Sequence, residues 1–325
     1  MKSSNRLPII ADEEIGKIGY YEKEWFYPSR RQQYFLDHLK DRSYIDDVHF
    51  HPARKASDDE LLLFHTKTYI QETRDQCAKD TGVLGDGATL ARTHMEIAAR
   101  HVVGAVLSAT DNILSGHWSQ AFVPIAGFHH AAADSARMYC LYNDCAIAIK
   151  YALAKLSGNI GYIDTDVHFG DGVYDAFSDN PRVISCDMHE ADRTLFPYSP
   201  ENPGAQNRRE TAMLCGEGVA TGRKQTFALP PFQTDDDYLQ YVRKIEQHMS
   251  IYQPEMIIFN CGLDTMKGDP MAHQCVTTDG VYQMTRVVQS VAKKYAKGRL
   301  LVLGGGGYLN QNLGIGWSSI VRALL

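Results

Sequence analysis

Short runs of apolar and β-branched residues alternate along this chain with longer stretches whose apolar positions recur every three or four residues. This is the pattern of an α/β protein built on a mainly parallel sheet flanked by helices. The apolar runs predict strands at residues 7–12, 119–126, 159–167, 182–187, 256–261 and 299–303. Helical periods fall between them, at Ala88–Leu114, Ser135–Leu156, Asp236–Ile251 and Asp279–Tyr295, the last carrying Val281, Met284, Val287, Val288 and Val291. No fixed-period repeat or low-complexity tract breaks the pattern, so a single domain over residues 1–325 is the simpler organisation. The longest irregular stretch is Ala191–Arg209, with Pro197, Pro200, Pro203 and Gly204, and loops of that length are more often functional than idle.

Composition narrows the class. With 325 residues, 44% of them hydrophobic, the chain can bury a core without help from disulfides. The seven cysteines are odd in number and form no Cys-x-x-Cys pair, which fits a reducing compartment. A net charge of -6 offers no field to collect nucleic-acid phosphates or anionic lipid. The opening MKSSNRLPIIADEE lacks the long apolar stretch of a secretory signal, and later apolar runs are too short to span a bilayer, so a cytoplasmic protein without membrane or nucleic-acid partners is expected.

In open parallel sheets ligands bind beyond the carboxyl ends of the strands, so the residues that follow each strand carry the information. The run 159–167 leads into IDTDVHFGDG, where Asp164, Asp166 and His168 recur every second residue and so share one face of an extended segment. Two carboxylates and an imidazole so aligned need a cation or a dense hydrogen-bond network, and mixed oxygen and nitrogen ligands suit zinc. The next such run leads into CGLDTMKGDP, adding Asp264. The segment AGFHHAAAD sets His129 and His130 in a loop after residues 121–126, with Asp164 and Asp171 as acids able to back an imidazole base. The last run ends in GGGGY, whose glycines, Gly306 among them, let backbone pass close to a ligand. Tyr308 follows directly, a phenol able to donate to a developing oxyanion.

The strings FHHA, DTDVHFGDG, GLDTMKGDP and GGGGY, in this order, resemble the histone deacetylase family, which includes acetylpolyamine amidohydrolases and acetoin-utilisation proteins. LLLFHTKTYI, YCLYND and the pair Phe196–Pro197 extend the likeness over most of the chain from about Pro28. The resemblance implies an arginase/deacetylase-like fold and a zinc-dependent deacylase acting on an acylated amine. It assigns Asp166, His168 and Asp264 to one zinc ion, and His129 and His130, backed by Asp164 and Asp171, to acid–base work, with His130 the base. Tyr308 then polarises the scissile carbonyl, Tyr139 and Phe196 wall the acyl-amine channel, and Arg30 is a buried arginine near its floor. It also implies potassium at Asp164, Asp166, His168, Asp187 and Met188, and a second monovalent cation on backbone oxygens of Phe177, Asn180 and Val183.

Departures from the family pattern bear on the substrate. Met138 stands where most members have glycine before the first channel aromatic, adding bulk to the wall or floor. Phe169 replaces the usual second histidine after the Asp-x-His, and FYPSRR replaces a His-Pro-Glu type segment. Two loop acids, Asp80 and Asp86, are candidates for gripping a substrate backbone, and Met271 occupies a rim position that is a carboxylate in a polyamine-selective subgroup. Two rival readings are an arginase-like ureohydrolase with two manganese ions and a pseudoenzyme that binds acylated ligands without turnover.

Overall fold

The computed structural model describes residues 6–18, 30–40, 42–191, 195 and 214–325. Ten strands form: β1 Leu7–Ile10, β2 Val48–His51, β3 Val83–Leu84, β4 Thr89–Leu90, β5 Gln120–Val123, β6 Ile160–Asp164, β7 Val183–Glu190, β8 Lys224–Leu229, β9 Met256–Asn260 and β10 Leu300–Leu303. The α-helices are α1 Glu13–Gly16, α2 Arg31–Lys40, α3 Asp58–Leu61, α4 Lys67–Ala78, α5 Thr93–Leu114, α6 Asp144–Lys155, α7 Asp171–Phe177, α8 Asp235–Tyr252, α9 Thr278–Tyr295 and α10 Asn310–Leu324. Eight strands make one parallel sheet in the order β2-β1-β5-β10-β9-β6-β7-β8, while β3 and β4 form a separate antiparallel hairpin.

The central strands are apolar throughout because both faces of a parallel sheet are covered. Every residue of β6, β9 and β10 is buried. Helices α5 and α6 pack together against the sheet on one side, and α8, α9, α10 and α2 succeed one another on the other. Local signals start the helices where tertiary packing needs them. Thr66 caps α4, Asn143 caps α6, and Thr234 with Asp237 forms a capping box on α8.

All six predicted strands exist, but β2 and β8, the two outer strands of the sheet, escape the pattern. Edge strands are half-solvated and need no continuous apolar run: β2 reads VHFH and β8 KQTFAL. The helix expected from Ser135 begins only at Asp144, because the preceding segment turns through positive φ at Met138 (44°) and Tyr139 (66°). Likewise α5 begins at Thr93 rather than Ala88, since Thr89 and Leu90 pair with the other arm of the hairpin. Most of the predicted irregular loop 191–209 lies outside the described residues.

Register places the site. Asp164 pairs with Asn260 of β9 on one side and Asp187 of β7 on the other, so three polar side chains lie in one row at the carboxyl end of the sheet. Beyond that row β6 stops, earlier than the predicted residue 167, and side chains take over from the ladder. The Asp164 carboxylate accepts from the Asp166 N–H (3.0 Å) and the Asp166 carboxylate from the His168 N–H (3.0 Å).

Candidate active site

Asp166, His168 and Asp264 converge, each offering one ligand atom, with all three atoms within 4.8 Å of one another. His168 Nδ1 lies 3.2 Å from Asp166 Oδ1 and 3.1 Å from Asp264 Oδ2. Backbone N–H groups fix the outer oxygens: Gly306 donates to Asp166 Oδ2 (2.7 Å) and Val167 to Asp264 Oδ1 (3.0 Å). A Cβ on Gly306 would meet Asp264 Oδ2 at 2.1 Å, so only glycine lets the backbone approach this closely. Burial disfavours charge on His168, but hydrogen bonds to Asp166 and Asp264 outweigh it and push the imidazole up to about 10. Burial, then the Asp166 charge, raises Asp264 to about 7. Two carboxylates and an imidazole in a field that favours positive charge form a donor set that a metal ion such as zinc would fit.

Beside this cluster stand the tandem histidines. His129 Nδ1 is 2.7 Å from Asp164 Oδ2, His130 Nδ1 is 2.7 Å from Asp171 Oδ1, and the two Nε2 atoms face each other at 3.0 Å. The surroundings of the two dyads differ. Asp164 also accepts from the Tyr162 hydroxyl (2.5 Å) and Asn260 Nδ2 (3.1 Å), while Asp171 shares its charge with Arg137 (3.2 Å). Burial opposes charge on His129, yet Asp164, Asp166 and Asp187 override it and lift the imidazole to about 10. Burial and then the His129 charge depress His130 to about 4, against the pull of Asp171. Two imidazoles this close disfavour carrying positive charge together, and their surroundings favour it on His129 rather than on His130.

Supporting residues that sequence reasoning left without a role complete the floor. Asp144 accepts from the Gly127 and Phe128 N–H groups (both 2.8 Å), and Asn143 Nδ2 donates to the carbonyls of His129 (3.1 Å) and Ala131 (2.9 Å). His65 Nε2 accepts from the Asn143 N–H at 2.9 Å, so LLLFHTKTYI and YCLYND meet behind the histidine loop. Their signal was present as motif strings, but neither string discloses that it holds backbone. Asp269 likewise joins the Tyr308 N–H (2.7 Å) to the Met271 N–H (2.9 Å).

The cavity over these groups is lined by His129, His130, Asp166, His168, Met138, Tyr139, Gly306 and Tyr308 among others, and holds about 20 Å³. Met271 is half-buried and does not line it. Of the two loop acids, Asp80 accepts from the Thr93 N–H at the start of α5, whereas Asp86, at the hairpin tip, accepts from the Met138 N–H at 2.9 Å and so touches the channel wall. Phe196 lies outside the described residues.

Two expectations need correction. Arg30 is exposed, and the buried arginine is its neighbour Arg31, which is 1% exposed, donates to the Gly305 carbonyl at 2.9 Å and stacks on Trp317. Arg30 precedes α2, whose first turn faces inward with Arg31 and Gln32 both buried. The carbonyls of Asn180 and Val183, expected to hold a second monovalent cation, instead accept from the Lys224 ammonium. At the nearer monovalent set, Met188 is buried and the Asp187 carboxylate is engaged by the Gly170 N–H (3.0 Å) and His189 Nδ1 (2.6 Å).

An open parallel sheet with carboxylates and imidazoles gathered beyond its carboxyl ends defines an α/β fold with a candidate metal centre. The family model for the histone deacetylase domain matches residues 26–324. The chain is 34% identical over 292 residues to the acetoin utilization protein AcuC of Bacillus subtilis (strain 168), covering 87% of this chain and 73% of that protein. With the AcuC protein of Staphylococcus xylosus the identity is 31% over 297 residues, covering 88% and 74%. Among solved structures, the HD domain of HDA15 matches with a TM-score of 0.85 at 21% identity, over 98% of this chain and 89% of that one. An HDAC homolog complexed with SAHA matches at 0.84 and 24%, over 98% and 84%. The chain belongs to the histone deacetylase family. No helix among the described residues is long and apolar enough to cross a membrane.

Proposed function

We propose that this protein is a zinc-dependent amidohydrolase that removes an acyl group, acetyl foremost, from the nitrogen of an acyl-lysine or a small acylamine. The observation that carries the reading is the meeting of one buried Asp-His-Asp cluster with two Asp-backed imidazoles at a single cavity. Asp166, His168 and Asp264 would hold the zinc ion, with potassium as a companion at Asp164, Asp166, His168, Asp187 and Met188. When bound, zinc supplies a Lewis acid that polarises an amide carbonyl and acidifies water.

The side chains divide the remaining work. His130, kept neutral by burial and by its charged neighbour, takes a proton from water at Nε2 and returns it to the leaving amine. His129, kept charged by Asp164, stabilises negative charge on the acyl oxygen from one side, and the Tyr308 hydroxyl does so from the other. Asp171 fixes the His130 tautomer through Nδ1, leaving Nε2 for the reaction.

Purified protein tests this directly. The expected result is about one zinc per chain, hydrolysis of an acetyl-lysine fluorogenic amide, loss of activity in a strong chelator, and recovery on adding zinc or cobalt. Asp264→Ala should lose both metal and turnover while circular dichroism is unchanged. Activity without metal, or dependence on two manganese ions, overturns the proposal in favour of other chemistry. Zinc-loaded protein that binds acyl amides without cleaving them makes it a binding protein instead.

A further inference from the structure

Lys224 opens β8 opposite Ser185 of β7 and is only 1% exposed. Its ammonium donates to the carbonyl oxygen of Asn180 at 3.0 Å and, closer still, to that of Val183. Among the described residues no carboxylate forms an ion pair with it; Asp179 acts on it only through its field. The Asn180 carbonyl lies in the turn that joins α7 to β7 and the Val183 carbonyl at the first residue of β7, where Asn180 N–H bonds to Phe177 O (3.0 Å) and Val183 N–H to Asn180 O (3.3 Å). A buried ammonium without a counter-ion is costly, and burial followed by the neighbouring Arg223 charge lowers its pKa to about 8. Carbonyl oxygens that converge on one small positive charge at a chain turn are how proteins replace the hydration shell of a potassium-sized cation.

We infer that Lys224 is a tethered replacement for a monovalent cation, so that the turn between α7 and β7 carries its own positive charge and takes up no ion. The family likeness places an ion on the oxygens of Phe177, Asn180 and Val183, and the lysine already occupies two of them. An ammonium fixed to β8 ties α7, β7 and β8 together and cannot be lost on dilution. The turn then holds its shape whether the medium contains potassium or not. The inference stands independently of the deacylase reading.

Crystals soaked in rubidium chloride test it. The wild type should show no anomalous peak among the carbonyls of Phe177, Asn180 and Val183. Lys224→Ala leaves room at those oxygens and should show one. In solution, replacing choline by potassium at constant ionic strength should raise the Tm of Lys224→Ala by several degrees more than that of the wild type. Lys224→Met, which fills the space without charge, should lose Tm and gain nothing from potassium. A rubidium peak in the wild type with the lysine displaced overturns the inference. So does a Lys224→Ala protein that binds no rubidium and keeps the wild-type Tm. Should the variants not fold, the wild-type soak decides alone.

Discussion

The floor and the rim of the site are held in different ways. On the floor, Asp164 and Asp264 are fully buried, His129 is 2% exposed and His130 5%, and each group has several partners. At the rim, Met138 and Tyr139 sit at positive φ, held by an exposed Asp86 on a two-residue-stranded hairpin, and Met271 hangs half-buried beside Asp269. Charge buried on the floor is tolerable only when every partner is present, so one change there breaks the whole set. A rim residue has few obligations and can vary to suit a substrate.

The largest effect in this comparison is expected at the junction of the two, Tyr308, whose backbone is fixed by Asp269 while its ring faces His168. Tyr308→Phe should lower kcat by about a hundredfold or more with KM little changed, because the phenol meets charge that develops only during attack. Steady-state kinetics on an acetyl-lysine amide read this. A raised KM with kcat intact would place Tyr308 in substrate binding.

Beneath the floor, His65 offers a test without chemistry. Burial lowers its pKa from 6.5 to about 4, although the Ala133 carbonyl favours the charged form. Its folded value lies below its unfolded one, so the unfolded chain takes up a proton first as pH falls. The stability from neutral His65 is therefore complete above about 6.5 and lost progressively down to about 4, to the extent of about 3 kcal/mol. His65→Gln, which keeps an acceptor for the Asn143 N–H, should show a flatter stability curve across that window in urea melts at fixed pH. Parallel curves for the two proteins would remove His65 as the titrating group.

The floor was legible in the sequence because buried chemistry permits few residues. Asp166, His168, Asp264, His129 and His130 each stood at the end of an apolar run, and the structure brings them together. What stayed hidden were groups acting through backbone, such as Asn143 and Asp144. Their value depends on which N–H or carbonyl the fold brings near, and no residue pattern encodes that. Arg31 was hidden because two arginines stand side by side where α2 begins, and Lys224 because a lysine in an edge strand ordinarily faces solvent. At the rim, Met138 was visible as a departure, but its φ of 44° was not.

That φ makes Met138→Gly informative. A left-handed backbone costs a non-glycine residue about 1 kcal/mol or more, so glycine should relax the turn while removing a side chain from the cavity wall. Selectivity for acetyl over butyryl amides should fall roughly tenfold in kcat/KM, in line with the 1–3 kcal/mol that a methylene-sized fit is worth in a pocket. Unchanged selectivity would show that Met138 does not bound the acyl chamber.

The smallest effect belongs to Met271, whose N–H is pinned by Asp269 and whose side chain lies outside the cavity among the described residues. A polyamine carries a second cation beyond the scissile amide, and a carboxylate at this place would attract it, whereas the neutral thioether of methionine gives no such preference. The native protein should therefore turn over a short acyl-lysine better than acetylspermidine or acetylputrescine. Met271→Glu should shift the kcat/KM ratio toward the polyamines by only about two- to fivefold, since a half-exposed ion pair is worth roughly 0.5–1 kcal/mol. The shift should shrink as salt is raised, because screening acts on the new charge and not on the fit of the acyl group. A salt-independent shift would mean that glutamate has reshaped the loop held by Glu190 and His273 rather than added a charge. A native preference for acetylpolyamines of about tenfold or more would place the selecting acid elsewhere, and Asp86, already against the channel wall, is where the search would turn.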